Sequence, residues 1–79
     1  MAADYTPRQG QFLAFIYYYT KIHGGPPAEC DLQRYFRISA PAVHQMIVTL
    51  DGRGFVEREP DKARSIRPLL SRDQLPDLE

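Results

Sequence analysis

The chain has 79 residues, 43% of them hydrophobic, with ten Lys and Arg against ten Asp and Glu. We expect one small domain over residues 1–79, with a core at about 5–70 and a tail at 71–79. No apolar run is long enough for a transmembrane helix, and the first residues lack a signal-peptide pattern, which favours a cytoplasmic protein with no membrane partner. The single cysteine, Cys30, excludes an internal disulfide framework.

The charge is spread unevenly along the chain. Residues 31–70 carry a surplus of two positive charges, and residues 71–79 carry a surplus of two negative charges. A protein that binds nucleic acid regardless of sequence usually has a larger basic excess. The charge pattern therefore predicts weak nonspecific affinity for DNA and a small dependence on salt.

A first helix is predicted to begin after Thr6, with Thr6 as its N-cap and Pro7 at the first helical position. Apolar residues at helical spacing predict a buried face made of Phe12, Phe15, Ile16, Tyr19 and Ile22. Tyr17 and Tyr18 flank this face and are expected to be partly exposed. Two glycines and two prolines at 24–27 end the helix, since glycine suits a C-cap and proline cannot continue.

A second helix is predicted from about Ala28 to Phe36, and its apolar face consists of Leu32, Tyr35 and Phe36. Ala28 is a poor N-cap, a defect that Glu29 and Asp31 partly offset by placing negative charge at the positive end of the helix dipole. A turn at residues 37–38 follows, with its isoleucine directed inward.

The third helix is predicted from Ser39, its N-cap, to about Gly52. The positions i, i+3, i+4 and i+7 form its buried stripe, which consists of Val43, Met46, Ile47 and Leu50. The outward face carries no acidic residue and consists of Pro41, Gln45 and Val48, with Ala42, His44 and Thr49 on its flanks. Such a face suits the major groove of DNA, where Gln, Thr and His hydrogen-bond base edges and small residues allow close approach.

The pattern then changes to that of strands, predicted at 55–59 and 64–69 around a turn at 60–63. The tail, residues 71–79, is polar and is expected to fray. Together the elements predict a mainly α fold with a small β-hairpin, a three-helix winged helix-turn-helix. Helices 2 and 3 form the helix-turn-helix, and the hairpin is the wing.

Several short matches to a known family occur in a fixed order along the chain. They are Thr6-Pro7-Arg8-Gln9, Gly25-Pro26-Pro27, Phe36-Arg37, Ser39, Ala42, Leu50, Gly54-Phe55-Val56-Glu57, Arg64 and Ile66-Arg67. With this set the chain resembles the N-terminal DNA-binding domain of LexA-type repressors over about residues 5–70. The resemblance implies sequence-specific DNA binding by helix 3, with the wing on the DNA backbone or in the minor groove. The family's peptidase half is absent, so self-cleavage and the dimerisation it supplies are not implied.

The resemblance also assigns base-reading positions, which are Ser39, Pro41, Ala42, His44 and Gln45. The family usually has Asn in place of Pro41 and Glu in place of His44 and Gln45, so only Ser39 and Ala42 are retained. The family's operator is therefore not implied for this chain. The turn before helix 3 also differs, because Arg37 stands where the family often has Gly.

Three residues on helix 3, Gln45, His44 and Val48, each allow two interpretations. Gln45 either hydrogen-bonds adenine or is a solvated surface glutamine, and we favour adenine. His44 either donates to guanine or phosphate or is a surface histidine. Val48 either touches a thymine methyl or is partly buried, and we favour burial. Thr49 is a further candidate for DNA contact.

Basic and polar residues outside helix 3 are candidates for phosphate contact, namely Thr6, Arg8, Arg53, Arg64 and Arg67. Thr6 could instead serve only as a cap, and Arg53 could interact with the helix C-terminus. Arg64 and Arg67 are three apart in a predicted strand and face opposite sides, so we expect only Arg64 to reach DNA. The alternative is a salt pair across the hairpin with Glu57 or Glu59.

Catalytic, metal and cofactor sites find no support in the sequence. Ser39 and His44 diverge around one helix and cannot form a relay, and His23 and His44 belong to different elements. We therefore expect a DNA-binding transcriptional regulator, a repressor by resemblance, with double-stranded DNA as partner and a possible homodimer. The alternative is a winged-helix protein–protein module without DNA binding, favoured by the zero net charge and the tyrosine run at 17–19.

Overall fold

The computed structural model describes residues 4–59 and 61–79. In chain order the elements are α1 (Pro7–His23), α2 (Glu29–Phe36), α3 (Ala40–Gly52), β1 (Val56–Glu57), β2 (Arg67–Pro68) and a short 3₁₀-helix (Arg72–Gln74). The two strands are antiparallel, with Val56 opposite Pro68 and Glu57 opposite Arg67. The predicted three-helix winged helix-turn-helix is confirmed.

Helix α1 begins and ends as its sequence predicts. The Gln9 amide donates to Thr6 Oγ1 at 3.1 Å, and the Thr6 amide donates to Gln9 Oε1 at 3.0 Å. This reciprocal capping box satisfies two amides that have no partner within the helix. The helix stops at Gly24, whose φ of 77° lies in the left-handed region that glycine adopts without steric cost.

The buried face of α1 differs from the prediction at its last turn. Ile22 was expected to be buried and is 76% exposed, and Tyr19 is only half-buried. Leu13 is fully buried although it was not on the predicted face. The middle of the helix, residues 12–16, is buried continuously, whereas residues 21–24 are all exposed. Packing therefore surrounds the middle of α1 and leaves its last turn in solvent.

Helix α2 is capped from inside the helix. Asp31 Oδ2 accepts the Ala28 amide at 2.8 Å and compensates for the poor N-cap residue. The helix ends at Arg37, which has a left-handed φ of 56° and ψ of 50°. Tyr35 was expected to be buried and is 43% exposed, because it lies at the edge of the core. Its ring centroid is 4.5 Å from that of Phe15.

The core lies where the three helices and the wing meet. Helix α3 contributes Val43, Ile47 and Leu50, as predicted, and Met46 is half-buried against them. The remaining buried residues of this cluster are Phe12, Leu13, Phe15, Ile16, Leu32, Phe55, Val56 and Ile66. Fully burying a side chain of this size contributes about 1.5–3 kcal/mol. The shared core fixes α3 and the wing relative to α1.

The strands of the wing are shorter than predicted, with two residues each. Beyond β1, Ser65 Oγ accepts the Glu59 amide at 2.8 Å and donates to the Glu59 carbonyl at 3.0 Å. This hydroxyl takes the place of strand-to-strand hydrogen bonds, so the ladder ends early. As a result Arg64 lies in a turn and not in a strand. Pro60 of the predicted turn lies outside the described residues.

The expectation that the tail frays is wrong. The Gln11 side chain donates to the Asp77 carbonyl and accepts the Glu79 amide, each at 2.9 Å. The Tyr5 hydroxyl donates to the Gln74 carbonyl at 2.6 Å. Leu75 and Leu78 pack against the core. Apolar packing and hydrogen bonds from the Tyr5 and Gln11 side chains to the tail backbone thus hold the tail against α1.

Candidate nucleic-acid interface

The outward face of α3 is exposed along its whole length. Pro41, Ala42, His44 and Gln45 are all exposed, and Val48 is 39% exposed. Thr49 is half-buried, and its hydroxyl donates to the Gln45 carbonyl at 2.9 Å. This face therefore presents one amide, one imidazole and several small or apolar side chains, without a carboxylate of its own.

The start of α3 places Ser39 at the edge of the same face. Its hydroxyl oxygen accepts the Ala42 amide at 3.2 Å, so Ser39 caps the helix as predicted. A serine hydroxyl that accepts one hydrogen bond still has its own hydrogen to donate. Ser39 can therefore cap α3 and present a donor beside Ala42.

His44 has a charged neighbour that the sequence reasoning did not place in the site. Its Nδ1 lies 3.4 Å from Oε2 of Glu29, the first residue of α2. The two residues are 15 positions apart on different helices, and no spacing in the sequence pairs them. The carboxylate paired with His44 thus comes from α2.

Arg64 does not extend away from the body of the protein. Its Nη1 lies 2.9 Å from Asp31 Oδ2 and 3.2 Å from the Tyr19 hydroxyl. The pKa of Asp31 lies below its usual value, first because its carboxylate accepts the Ala28 amide and then because of the nearby Arg64 charge. Arg64 thus connects the wing to α1 and α2. To contact DNA, its guanidinium would have to leave this ion pair.

Arg67 is paired across the hairpin with Glu57, its direct neighbour in the sheet. The alternative of a cross-hairpin salt pair therefore describes Arg67 and not Arg64. Both side chains of the Arg67 pair are at least half exposed, at 67% and 50%. An exposed pair of this kind contributes about 0–1 kcal/mol, so Arg67 can exchange its partner readily.

The other predicted phosphate contacts lie near the ends of helices. Arg53 donates to the Asp4 carbonyl at 3.0 Å, and its guanidinium lies 5.3 Å from the centre of the Phe55 ring. Its side chain thus interacts with the segment before α1, which is neither of the two expected partners. The Arg8 guanidinium lies 5.1 Å from the centre of the Phe36 ring. Aromatic rings orient both cations.

The structure brings one group of predicted residues together and separates the rest. Ser39, Pro41, Ala42, His44 and Gln45 share the exposed side of α3, with Thr49 at its flank. Arg64 and Arg67, which were expected to lie on one strand, have partners on different elements. Within residues 4–59 and 61–79, no cluster of three His, Cys, Asp or Glu side chains could hold a metal. Over the same residues no helix is long and apolar enough to cross a membrane.

The chain is similar to known proteins over most of its length. The model of the family described as the LexA DNA binding domain matches residues 2–65. The LexA repressor of Thermotoga petrophila is 33% identical over 64 residues, which cover 81% of this chain and 32% of that protein. The LexA repressor of Geobacter metallireducens is 33% identical over 64 residues, covering 80% and 32%. The chain spans about a third of the length of the curated relatives it matches.

Proposed function

Because the chain belongs to the LexA DNA-binding domain family, we propose that it is a sequence-specific DNA-binding transcriptional regulator that acts as a repressor. The outward face of α3 carries this proposal. It is exposed, it lacks acidic side chains, and it combines small residues with hydrogen-bonding ones. A helix with such a face can enter the major groove and contact base edges.

The proposed base contacts follow from the side chains on that face. Gln45 is placed to make paired hydrogen bonds to adenine, the usual geometry for a glutamine in the major groove. Ala42 and Val48 offer apolar contact to thymine methyl groups. Pro41 and Ser39 lie at the N-terminal end of α3 and allow close approach there, and Thr49 lies at the flank.

The proposed phosphate contacts come from Thr6, Arg8, Arg53 and Arg67. Contacts of this kind fix the register of a protein on DNA without reading sequence. We propose Arg67 in preference to Arg64 as the DNA-contacting arginine of the wing. The Arg67 pair is exposed on both sides, whereas the Asp31 partner of Arg64 is only 11% exposed and is hydrogen-bonded to α2 as well.

One copy of this domain offers a small contact surface, because single modules of this size bury about 600–1,000 Å² on DNA. We therefore propose that a homodimer binds two half-sites, which would combine two weak contacts into one strong one. With double-stranded DNA as its proposed partner, we also propose a cytoplasmic location and a non-catalytic role that needs no metal or cofactor.

The test is selection from a pool of randomised duplexes at low and moderate salt, followed by sequencing of the bound fraction. The native chain should enrich a motif, and Gln45→Ala should relax the preference at one base position by about 1–3 kcal/mol. Gln33→Ala is the matched control, since it removes the same side chain from α2. If Gln45→Ala leaves every base preference intact, α3 does not read DNA in the proposed way.

A protein–protein module is the second candidate. Two observations favour it: cations at Arg53, Arg64 and Arg67 all have carboxylate partners, and Ile22 and Leu69 are 76% and 54% exposed. The tyrosine run contributes less than expected, because all three of its residues are half-buried. Failure to bind any duplex at low salt would favour this second candidate.

A further inference from the structure

Glu29 and His44 form a pair at the edge of the proposed DNA-reading face. Glu29 is the first residue of α2, and its Oε2 lies 3.4 Å from Nδ1 of His44 on α3. The two side chains remain 45% and 57% exposed, so the imidazole is held on one side and open on the other. The pair therefore leaves Nε2 of His44 as the ring nitrogen that can meet DNA.

The charged groups near Glu29 leave its carboxylate available to interact with His44. A groove of about 460 Å³ separates the start of α2 from the wing. The titratable and charged groups that line it beside Glu29 are Cys30, Arg58, Glu59, Asp61 and Lys62. The two cations that line this groove are paired with other carboxylates, Arg58 with Asp51 at 3.4 Å and Lys62 with Glu59 at 3.5 Å.

The hydrogen-bonding capacity of the two groups determines where the imidazole proton lies. An ionised carboxylate can only accept hydrogen bonds, so Nδ1 must be the donor in this contact. A neutral imidazole has one proton, and with that proton on Nδ1 the other nitrogen, Nε2, is an acceptor. The second helix thus selects one tautomer of a side chain on the third.

We propose that Glu29 is a positioning residue that sets the base preference of His44 through this tautomer, an inference that rests on the proposed DNA-reading role of α3. An accepting Nε2 fits bases that present an amino group in the major groove, adenine or cytosine. A proton on Nε2 instead makes this nitrogen a donor, which fits the N7 and O6 acceptors of guanine. The preferred base at this position therefore depends on the tautomer that Glu29 selects.

The tautomer can be measured without DNA by long-range ¹H–¹⁵N NMR of the imidazole in the full chain. At about pH 8, the native chain should carry the imidazole proton on Nδ1. Glu29→Gln should give a mixture, because an amide can donate as well as accept. A proton on Nε2 in the native chain overturns the proposal whatever the DNA experiments show.

The base preference is measured by duplex selection at about pH 8, the condition of the NMR measurement. His44→Ala identifies the base position, since preference there is lost. The native chain should favour adenine or cytosine at this position. Glu29→Gln should also admit guanine, and Glu59→Gln, which removes the same charge across the groove, should not.

The outcomes separate the two proposals. An enriched motif with no difference between Glu29→Gln and the native chain overturns the role of Glu29 and leaves DNA reading intact. If no motif is enriched, the proposed function is overturned, and the role of Glu29 in base preference falls with it, even where NMR finds the proton on Nδ1.

Discussion

Arg37 adopts a backbone conformation that side chains disfavour. Its φ of 56° and ψ of 50° end α2 in the left-handed region, which costs about 1–2 kcal/mol for a residue with a Cβ. We predict that Arg37→Gly raises the free energy of unfolding by about 0.5–1 kcal/mol, because relief of this strain exceeds the extra entropy of glycine in the unfolded chain. Chemical denaturation of both chains measures this change in the free energy of unfolding.

A glycine-to-alanine substitution at another left-handed position provides the control for Arg37→Gly. Gly54 has a φ of 77° with open space where a Cβ would lie, so Gly54→Ala should lose about 1 kcal/mol for backbone reasons alone. A loss of stability in Arg37→Gly would show that contacts of the arginine side chain outweigh the strain of its backbone.

Asp31 makes stability depend on pH in the acid range. The Ala28 amide and, after it, the Arg64 charge lower its pKa from the usual 3.8. A carboxyl whose folded pKa is depressed contributes stability above its unfolded pKa, and this is lost as pH falls through the folded pKa. We predict that Asp31→Asn lowers stability by about 1 kcal/mol at neutral pH, and that the difference shrinks below about pH 4.

Urea unfolding of both chains between neutral pH and about pH 2 measures this difference. Asparagine keeps an oxygen that can accept the Ala28 amide, so the comparison isolates the charge. A difference that stays constant down to pH 2 would mean that the Asp31 carboxylate gains nothing from its ionised form in the folded state.

At the scale of elements, the tail approaches α1 closely at Gly10. A Cβ on this residue would lie 2.7 Å from Tyr5 Cε1 and 3.1 Å from Pro76 Cγ. The tyrosine ring, whose hydroxyl is hydrogen-bonded to the tail at Gln74, would therefore have to move. We predict that Gly10→Ala destabilises the protein by about 1–3 kcal/mol, despite the higher helix propensity of alanine.

Gly52 is the matched control because it lies in a helix with open space around it. Gly52→Ala should raise stability by up to about 1 kcal/mol through helix propensity alone. Thermal unfolding followed by circular dichroism compares the two variants. Equal stabilisation by both would show that the tail does not rest against α1 in solution.

At the scale of the whole molecule, the net charge is zero, and cations such as Arg64 and Arg67 are already paired with carboxylates. The proposed phosphate contacts from Arg8, Arg53 and Arg67 predict that the slope of log binding constant against log salt is about −3 per bound domain. Arg67→Gln should reduce its magnitude by about one. Arg64→Gln should leave the slope unchanged and lower stability.

Fluorescence anisotropy of a labelled duplex between about 50 and 200 mM salt measures these slopes. A slope much steeper than −3 would indicate a broad basic surface that the ion pairs seen here do not allow. If Arg64→Gln reduces the magnitude of the slope and Arg67→Gln does not, the wing residue that contacts DNA is Arg64 and not Arg67.

The sequence alone was sufficient for features that depend on neighbours along the chain. The caps at Thr6 and Ser39, the glycine stop at Gly24 and the buried stripe of α3 are all local. A cap uses an amide three residues away, and a helical stripe repeats every three or four residues. The sequence therefore determined the helices, their order and the family to which they belong.

Only the tertiary structure decided which groups meet across the fold. Arg64 pairs with Asp31 33 residues away, His44 meets Glu29 from 15 residues away, and Gln11 binds the tail 66 residues on. Ile22 is exposed because nothing in the described chain covers the last turn of α1. These outcomes depend on how finished elements pack, and no local pattern of residue types encodes that packing.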